Sequence, residues 1–273
     1  MAETVSIVSR NILASGTVTV SGGTAQDAYP VERLWDWSEN LIWQRVSDRA
    51  EIGPMGGDTY ELGPMGGDDY EIGSSGVIVE VAQPAASILA VDTLFVAGHN
   101  LAGVELRWQY STDGGASWHN AVSAWTPTGA TAITKTLGSV VTAQHWRLQA
   151  LGAVDPEAGE VIMADADSFE IARRPSPKHA WRDNVVWSRS IGGQERGVKL
   201  GDARAERLYN LRVTAAELAT LQTIVSRLDG FSEPVLVKDK DGDWRIMRFD
   251  SLPTETYLTA AYTDVDVALV EML

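Results

Sequence analysis

Carboxylates gather at two places in this chain. Asp58, Asp68 and Asp69 stand among glycines, and Asp239, Asp241 and Asp243 alternate within Asp-Lys-Asp-Gly-Asp. Clustered side-chain oxygens are the chemistry of calcium, which takes about six to eight oxygen ligands. The same residues also build turns, because Asp bonds its own backbone and Gly reaches positive φ. The second cluster departs from the EF-hand order and has no closing glutamate, while its Asp241-Gly242 pair is a favoured two-residue hairpin turn. It reads as a hairpin, and the first cluster as turns; no metal site is assigned to either.

The four histidines, His99, His119, His145 and His179, have no zinc-ligand spacing among them. The chain contains neither a GxSxG elbow nor an HExxH helix. It also has no cysteine, which excludes a thiolate nucleophile, a thiolate zinc site and a disulfide framework. Glycoside hydrolysis needs two carboxylates facing one cleft, and nothing in the spacing of the acids marks such a pair. The expectation is a protein that is not an enzyme, with no catalytic residue, no metal and no cofactor.

Ten tryptophans are the other resource. Indoles stack on sugar rings, and Trp35, Trp37, Trp43, Trp118 and Trp125 are candidates for that; Trp37 is the preferred one. Against this stands ordinary packing, since tryptophan fills β-sandwich cores and interfaces. Trp181 and Trp187 follow a Pro-rich junction and read as subunit contacts.

These side chains need elements to hold them. Thr17–Val20, Val77–Val81, Leu94–Ala97, His145–Leu148 and Ser168–Ile171 have the length and β-branched or apolar content of strands. In 104–110 apolar and polar residues alternate, placing Val104, Leu106, Trp108 and Tyr110 on one face, and Ser-Thr-Asp-Gly-Gly then closes the strand with a turn. Further on, Thr214-Ala-Ala-Glu217 is a capping box, followed by Leu218, Leu221, Ile224, Val225 and Leu228 on one helical face and a stop at Asp229-Gly230. Pro234–Val237, Trp244–Phe249 and Tyr262–Leu273 complete the set as strands. The fold class expected is mainly β: an N-terminal β-sandwich and a small β-domain with one packed helix at about 214–229.

The charge is uneven. Residues 1–172 carry 7 Lys+Arg against 22 Asp+Glu, whereas 173–273 carry 15 of each. The step coincides with Arg173-Arg174-Pro175-Ser176-Pro177-Lys178, where two prolines interrupt regular structure. The domains predicted are therefore 1–172, a linker at 173–180, and 181–273. Within the first, Glu51-Ile-Gly-Pro-Met-Gly-Gly-Asp-Thr-Tyr is nearly duplicated from Glu61, so 51–73 reads as an extended excursion grown by duplication. The acidic part opposes binding to nucleic acid or anionic lipid. No apolar run approaches the roughly 20 residues of a membrane span, and the N-terminus reads as lacking a signal peptide.

Several stretches taken together resemble a known pattern. They are Asn11-Ile-Leu, Tyr29-Pro-Val-Glu-Arg-Leu-Trp-Asp36, Leu94-Phe-Val-Ala-Gly-His-Asn-Leu101, Ser111-Thr-Asp-Gly-Gly-Ala-Ser-Trp118 and His145-Trp-Arg-Leu148. They look like the discoidin-like, galactose-binding-like β-sandwich (jelly-roll) of phage and prophage tail proteins. The region after 172 is similar to ring-forming distal-tail and baseplate components. The resemblance implies a structural protein of a bacteriophage tail tip, acting by homo-oligomeric ring assembly in the virion with tail tube, hub, baseplate or fibre proteins as partners. The alternative is a carbohydrate-binding adhesin module at the host surface.

Overall fold

The computed structural model describes residues 3–21, 24–25, 43–46, 77–129, 132–152, 156–172, 178–182, 185–189, 195–199, 204–228, 233–259 and 261–272. Trp37, the 51–73 repeat with Asp58, Asp68 and Asp69, the prolines of the junction, and Asp229-Gly230 lie outside the described residues. The mainly-β expectation holds: strands predominate and form an eight-stranded sheet, a five-stranded sheet and several smaller ones. No helix among the described residues is long and apolar enough to cross a membrane.

The chain divides into two compact units, and not at 172–178. One comprises residues 1–11, 91–93 and 163–273; the other comprises 12–90 and 94–162. The reason lies in Thr4–Val8. Val5, Ile7 and Val8 are buried, so this strand needs covered apolar surroundings. It finds them by pairing antiparallel with Asp167–Glu170 on one side and Val235–Lys238 on the other, Ile7 standing opposite both Asp167 and Val237. Phe169 and Ile171 consequently share one core with Leu211, Val235 and Phe249, which lie beyond the prolines. Lys178–Arg182, expected to be largely linker, is a strand paired with Arg204–Val213.

The eight-stranded sheet of this unit runs Asp167–Glu170, Thr4–Val8, Val235–Lys238, Trp244–Phe249, Thr263–Glu271, Arg204–Val213, Lys178–Arg182, with Thr254–Tyr257 also paired to Thr263–Glu271. The one long helix among its described residues, Ala215–Arg227, starts where the capping box places it: Glu217 N–H donates to Thr214 Oγ1, and Thr214 N–H donates to Glu217 Oε2 at 2.7 Å. Leu221, Ile224 and Leu228 are buried in the same core as Leu211, Val213, Val265 and Leu269. Each such side chain contributes roughly 1.5–3 kcal/mol by leaving water.

In the other unit the five-stranded sheet has the order Thr17–Ser21, Val77–Ala82, His145–Leu151, Glu105–Ser111, His119–Asn120. The expected alternation is present: Leu106 and Trp108 are buried. Trp108 and Trp146 are fully buried with ring centroids 5.3 Å apart, and Tyr110 packs against Trp146 at 5.4 Å. Two adjacent indoles at zero exposure show that this face of the sheet is covered. The opposite face is free to carry polar side chains.

Candidate functional site

The polar face is a row in register. Thr19 stands opposite Glu80, Glu80 opposite Arg147, Arg147 opposite Gln109, and Gln109 opposite Asn120, so one line crosses all five strands. The period of two residues per strand repeat makes this follow from the buried set: once Val81, Trp146 and Tyr110 face inward, their neighbours must face out.

Hydrogen bonds lock the row. Arg147 Nε donates to Gln109 Oε1 at 2.8 Å, and Gln109 Nε2 donates to Asn120 Oδ1 at 2.7 Å. These bonds fix the orientation of the Gln109 amide. The Arg147 guanidinium lies 4.0 Å from the centre of the Trp118 ring, a cation–π stack. Burial pulls the Arg147 pKa below the usual guanidinium range, and the Glu80 charge opposes that shift. His145 Nδ1 stands 3.5 Å from Glu80 Oε1.

Trp118 is positioned by the turn before it. Asp113 accepts from Ser111 Oγ at 2.6 Å and from Ser117 N–H at 2.9 Å, and Ser111 Oγ accepts from Gly115 N–H at 2.9 Å. Those donors, Ser111 first and then Ser117, hold the Asp113 carboxyl well below the ordinary carboxylate range. Gly114 and Gly115 take φ of 73° and 89°, which side chains with a Cβ rarely adopt. Atoms of Trp118, Glu80 and His145 all lie within 4 Å of where a Gly115 Cβ would be, so the turn closes directly over the row. An aromatic ring, a planar cation, an amide and a carboxylate in one row can bond hydroxyl groups and pack a ring, while Gln109 is buried among them and holds Arg147 and Asn120 in place.

The other expected residues fall as follows. His99 is buried and accepts from Leu101 N–H through Nδ1 at 3.2 Å, as a turn residue does. His179 lies edge-on to Tyr209 at 6.3 Å. Asp239 closes the hairpin between Val235–Lys238 and Trp244–Phe249, accepting from Asp241 N–H and Asp243 N–H at 2.9 and 3.1 Å. Among the described residues no group of three or more His, Asp or Glu could hold a metal ion. Trp125 lies under the Lys135 ammonium at 4.9 Å. Trp181 is 67% exposed on the last strand of the eight-stranded sheet, and Trp187 stands opposite Gly197 in the Val185–Arg189 strand. Of the tryptophans weighed for sugar stacking, the row includes Trp118. Arg147, Gln109, Glu80 and Asn120 escaped the sequence reading, although Arg147 lies inside the motif His145–Leu148.

No family model and no curated protein matches this chain. Solved structures similar to it include the family 32 carbohydrate-binding module from C. perfringens NanJ in complex with galactose: 12% identity, 59% of this chain and 98% of that one, TM-score 0.38. Another is chitosan-binding module 1 of a chitosanase/glucanase from Paenibacillus sp. IK-5: 16% identity, 57% and 98% coverage, TM-score 0.39. A third is a Ruminococcus gnavus GH29 fucosidase in complex with fucose: 12% identity, 57% and 27% coverage, TM-score 0.40.

Proposed function

We propose that the unit of residues 12–90 and 94–162 is a non-catalytic carbohydrate-recognition module, and that its contact surface is the row Glu80, Arg147, Gln109 and Asn120 beside Trp118. The observation that carries this is the Arg147 guanidinium fixed between the Trp118 ring and the Gln109 amide. A planar donor held rigid before binding loses little entropy on meeting a ligand hydroxyl. The outlying Glu80 and Asn120 supply acceptors and a further amide. The test is a glycan array on the intact chain, followed by calorimetry with the best hit. Trp118→Ala and Arg147→Ala should each weaken binding at least tenfold without unfolding the protein; unchanged affinity in both variants would overturn the reading.

A second reading concerns where such a module works. The large exposure of Trp181 on a terminal sheet strand favours a protein that buries this residue against a neighbour. In that reading the chain is a component of a phage tail tip, ring-forming and in contact with other tail proteins, and the module meets the host surface. Trp181 and Trp187 are then the subunit contacts. Cross-linking of the intact chain, with Trp181→Ala as the comparison, tests it: a monodisperse monomer at high concentration, with or without tail partners, removes the support.

A further inference from the structure

Arg207 is a buried cation with no ion pair among the described residues. By the two-residue period of Arg204–Val213 it shares a side with Ala205, Tyr209 and Leu211, and all four are buried, Arg207 at 7% exposure. The charged groups around it are otherwise engaged. Lys240 Nζ lies 3.0 Å from Asp241 Oδ1, and Arg245 Nη1 lies 2.7 Å from Glu271 Oε1. Asp239 accepts from the Asp241 and Asp243 N–H groups of its own hairpin. Arg207 itself makes one bond, from Nη1 to the Glu206 carbonyl at 3.3 Å.

A buried charge is costly unless it is paired, so this guanidinium calls for an acceptor from outside. Access decides which nitrogen meets it. Nε is enclosed and out of reach. Nη2 also lacks a partner among the described residues, but it is not one of the enclosed atoms. On the neighbouring strand His179 stands opposite Arg207 and Trp181 opposite Ala205, and both side chains are exposed, Trp181 at 67%. Cross-strand partners point to the same side, and the His179 ring accordingly meets Tyr209 edge-on at 6.3 Å. Partial desolvation, and then the Arg207 charge, pull the His179 pKa below the ordinary histidine value, while Asp239 and Asp241 oppose the shift.

A guanidinium fork matches the oxygens of carboxylates and phosphates. The charges of Asp239 and Asp241 reach the same place, and they weigh against a dianion more than against a single carboxylate. We propose that Arg207, with His179 beside it, is a binding site for one carboxylate group, held through Nη2 near the edge of the eight-stranded sheet. The carboxylate belongs either to a simple organic acid or to an acidic sugar. In the second case the sugar ring has Trp181 to rest on, about 7–8 Å from Arg207 across the diagonal of the strand pair. The site does not depend on the Arg147 row.

The experiment titrates the intact, isotope-labelled chain with acetate, glucuronate, glucose and inorganic phosphate above neutral pH, following the Arg207 Nε–H and His179 ring signals by NMR. Acetate should move both signals saturably and raise the His179 pKa, with phosphate at least tenfold weaker and glucose silent. Glucuronate tighter than acetate, with the gain lost in Trp181→Ala, identifies an acidic sugar; equal binding of the two identifies a simple acid. Arg207→Lys loses the fork and should weaken acetate binding. Arg207→Met should abolish it while melting no lower than wild type, since an apolar side chain relieves an unpaired buried charge. The proposal is overturned by no response to either acid, by phosphate binding as tightly, by undiminished binding in Arg207→Lys, or by a response surviving in Arg207→Met. A lower melting temperature of Arg207→Met also overturns it, because the guanidinium would then be satisfied within the fold.

Discussion

Arg147 lies with its guanidinium 4.0 Å over the Trp118 ring while its Nε donates to Gln109 at 2.8 Å. One side chain thus joins a loop residue to a strand residue that stands directly across from it. Replacing Arg147 by Lys keeps the charge but removes the planar fork and the Nε–H bond. A partly exposed cation–π contact is worth about 0.5–1 kcal/mol, so Arg147→Lys should lower the melting temperature only slightly. Its effect on glycan affinity should be much larger, and thermal melts run beside calorimetry would separate the two.

The Asp113 turn gives a pH signature. Its carboxyl is held below the ordinary value of 3.8 in the folded chain by the Ser111 and Ser117 donors. A depressed folded value stabilises the fold above the unfolded pKa, and that contribution disappears as pH falls through the folded one. Acid unfolding of the wild type should therefore steepen below about pH 4. Asp113→Asn should flatten the curve in that range; an identical slope would show that the turn is not coupled to folding.

Two glycines provide a contrast. A Cβ at Gly16 would meet the Val81 side chain and the backbone oxygens of Ala82 and Ile12, whereas one at Gly138 would meet nothing within 4 Å. Gly16→Ala should destabilise by about 1–3 kcal/mol through overpacking. Gly138→Ala, on an exposed strand position, should stay within about 0.5 kcal/mol of wild type. Denaturant titration of both variants checks the pair.

Helix packing sets the stability of the unit around 163–273. Leu221 is buried in its core, so Leu221→Ala should cost about 2–5 kcal/mol. Loss of the Thr214 cap in Thr214→Ala should cost about 1 kcal/mol. The urea midpoint of the transition reported by this unit is the measurement.

The division of the chain can be tested by truncation. Thr4–Val8 pairs on both sides within the eight-stranded sheet. A chain lacking residues 1–8 should therefore lose cooperative folding of 163–273, while the Trp108–Trp146 core of the other unit persists by near-ultraviolet circular dichroism. Retention of both transitions would mean that the strand is dispensable.

Local chemistry explains what the sequence determined alone. The alternation through Leu106 and Trp108, the Thr214–Glu217 capping box and the Asp113 turn all depend on residues within a few positions of one another, and each appears where the spacing puts it. The hairpin at Asp241-Gly242 is present too, but not as a two-residue turn: Lys238 pairs with Trp244 and Asp239 N–H donates to the Asp243 carbonyl, leaving Lys240, Asp241 and Gly242 in the loop. The unit boundary did not follow from spacing, because Val5 and Ile7 acquire meaning only through partners at 167–169 and 237, more than 150 residues away. The charge step and the prolines at 175 and 177 mark a change in composition, but a core is closed by burial, and burial joins Phe169 to Phe249 across them. The binding row is likewise tertiary. Glu80, Arg147, Gln109 and Asn120 are unremarkable polar residues on four separate strands, and only strand register brings them into one line beside Trp118.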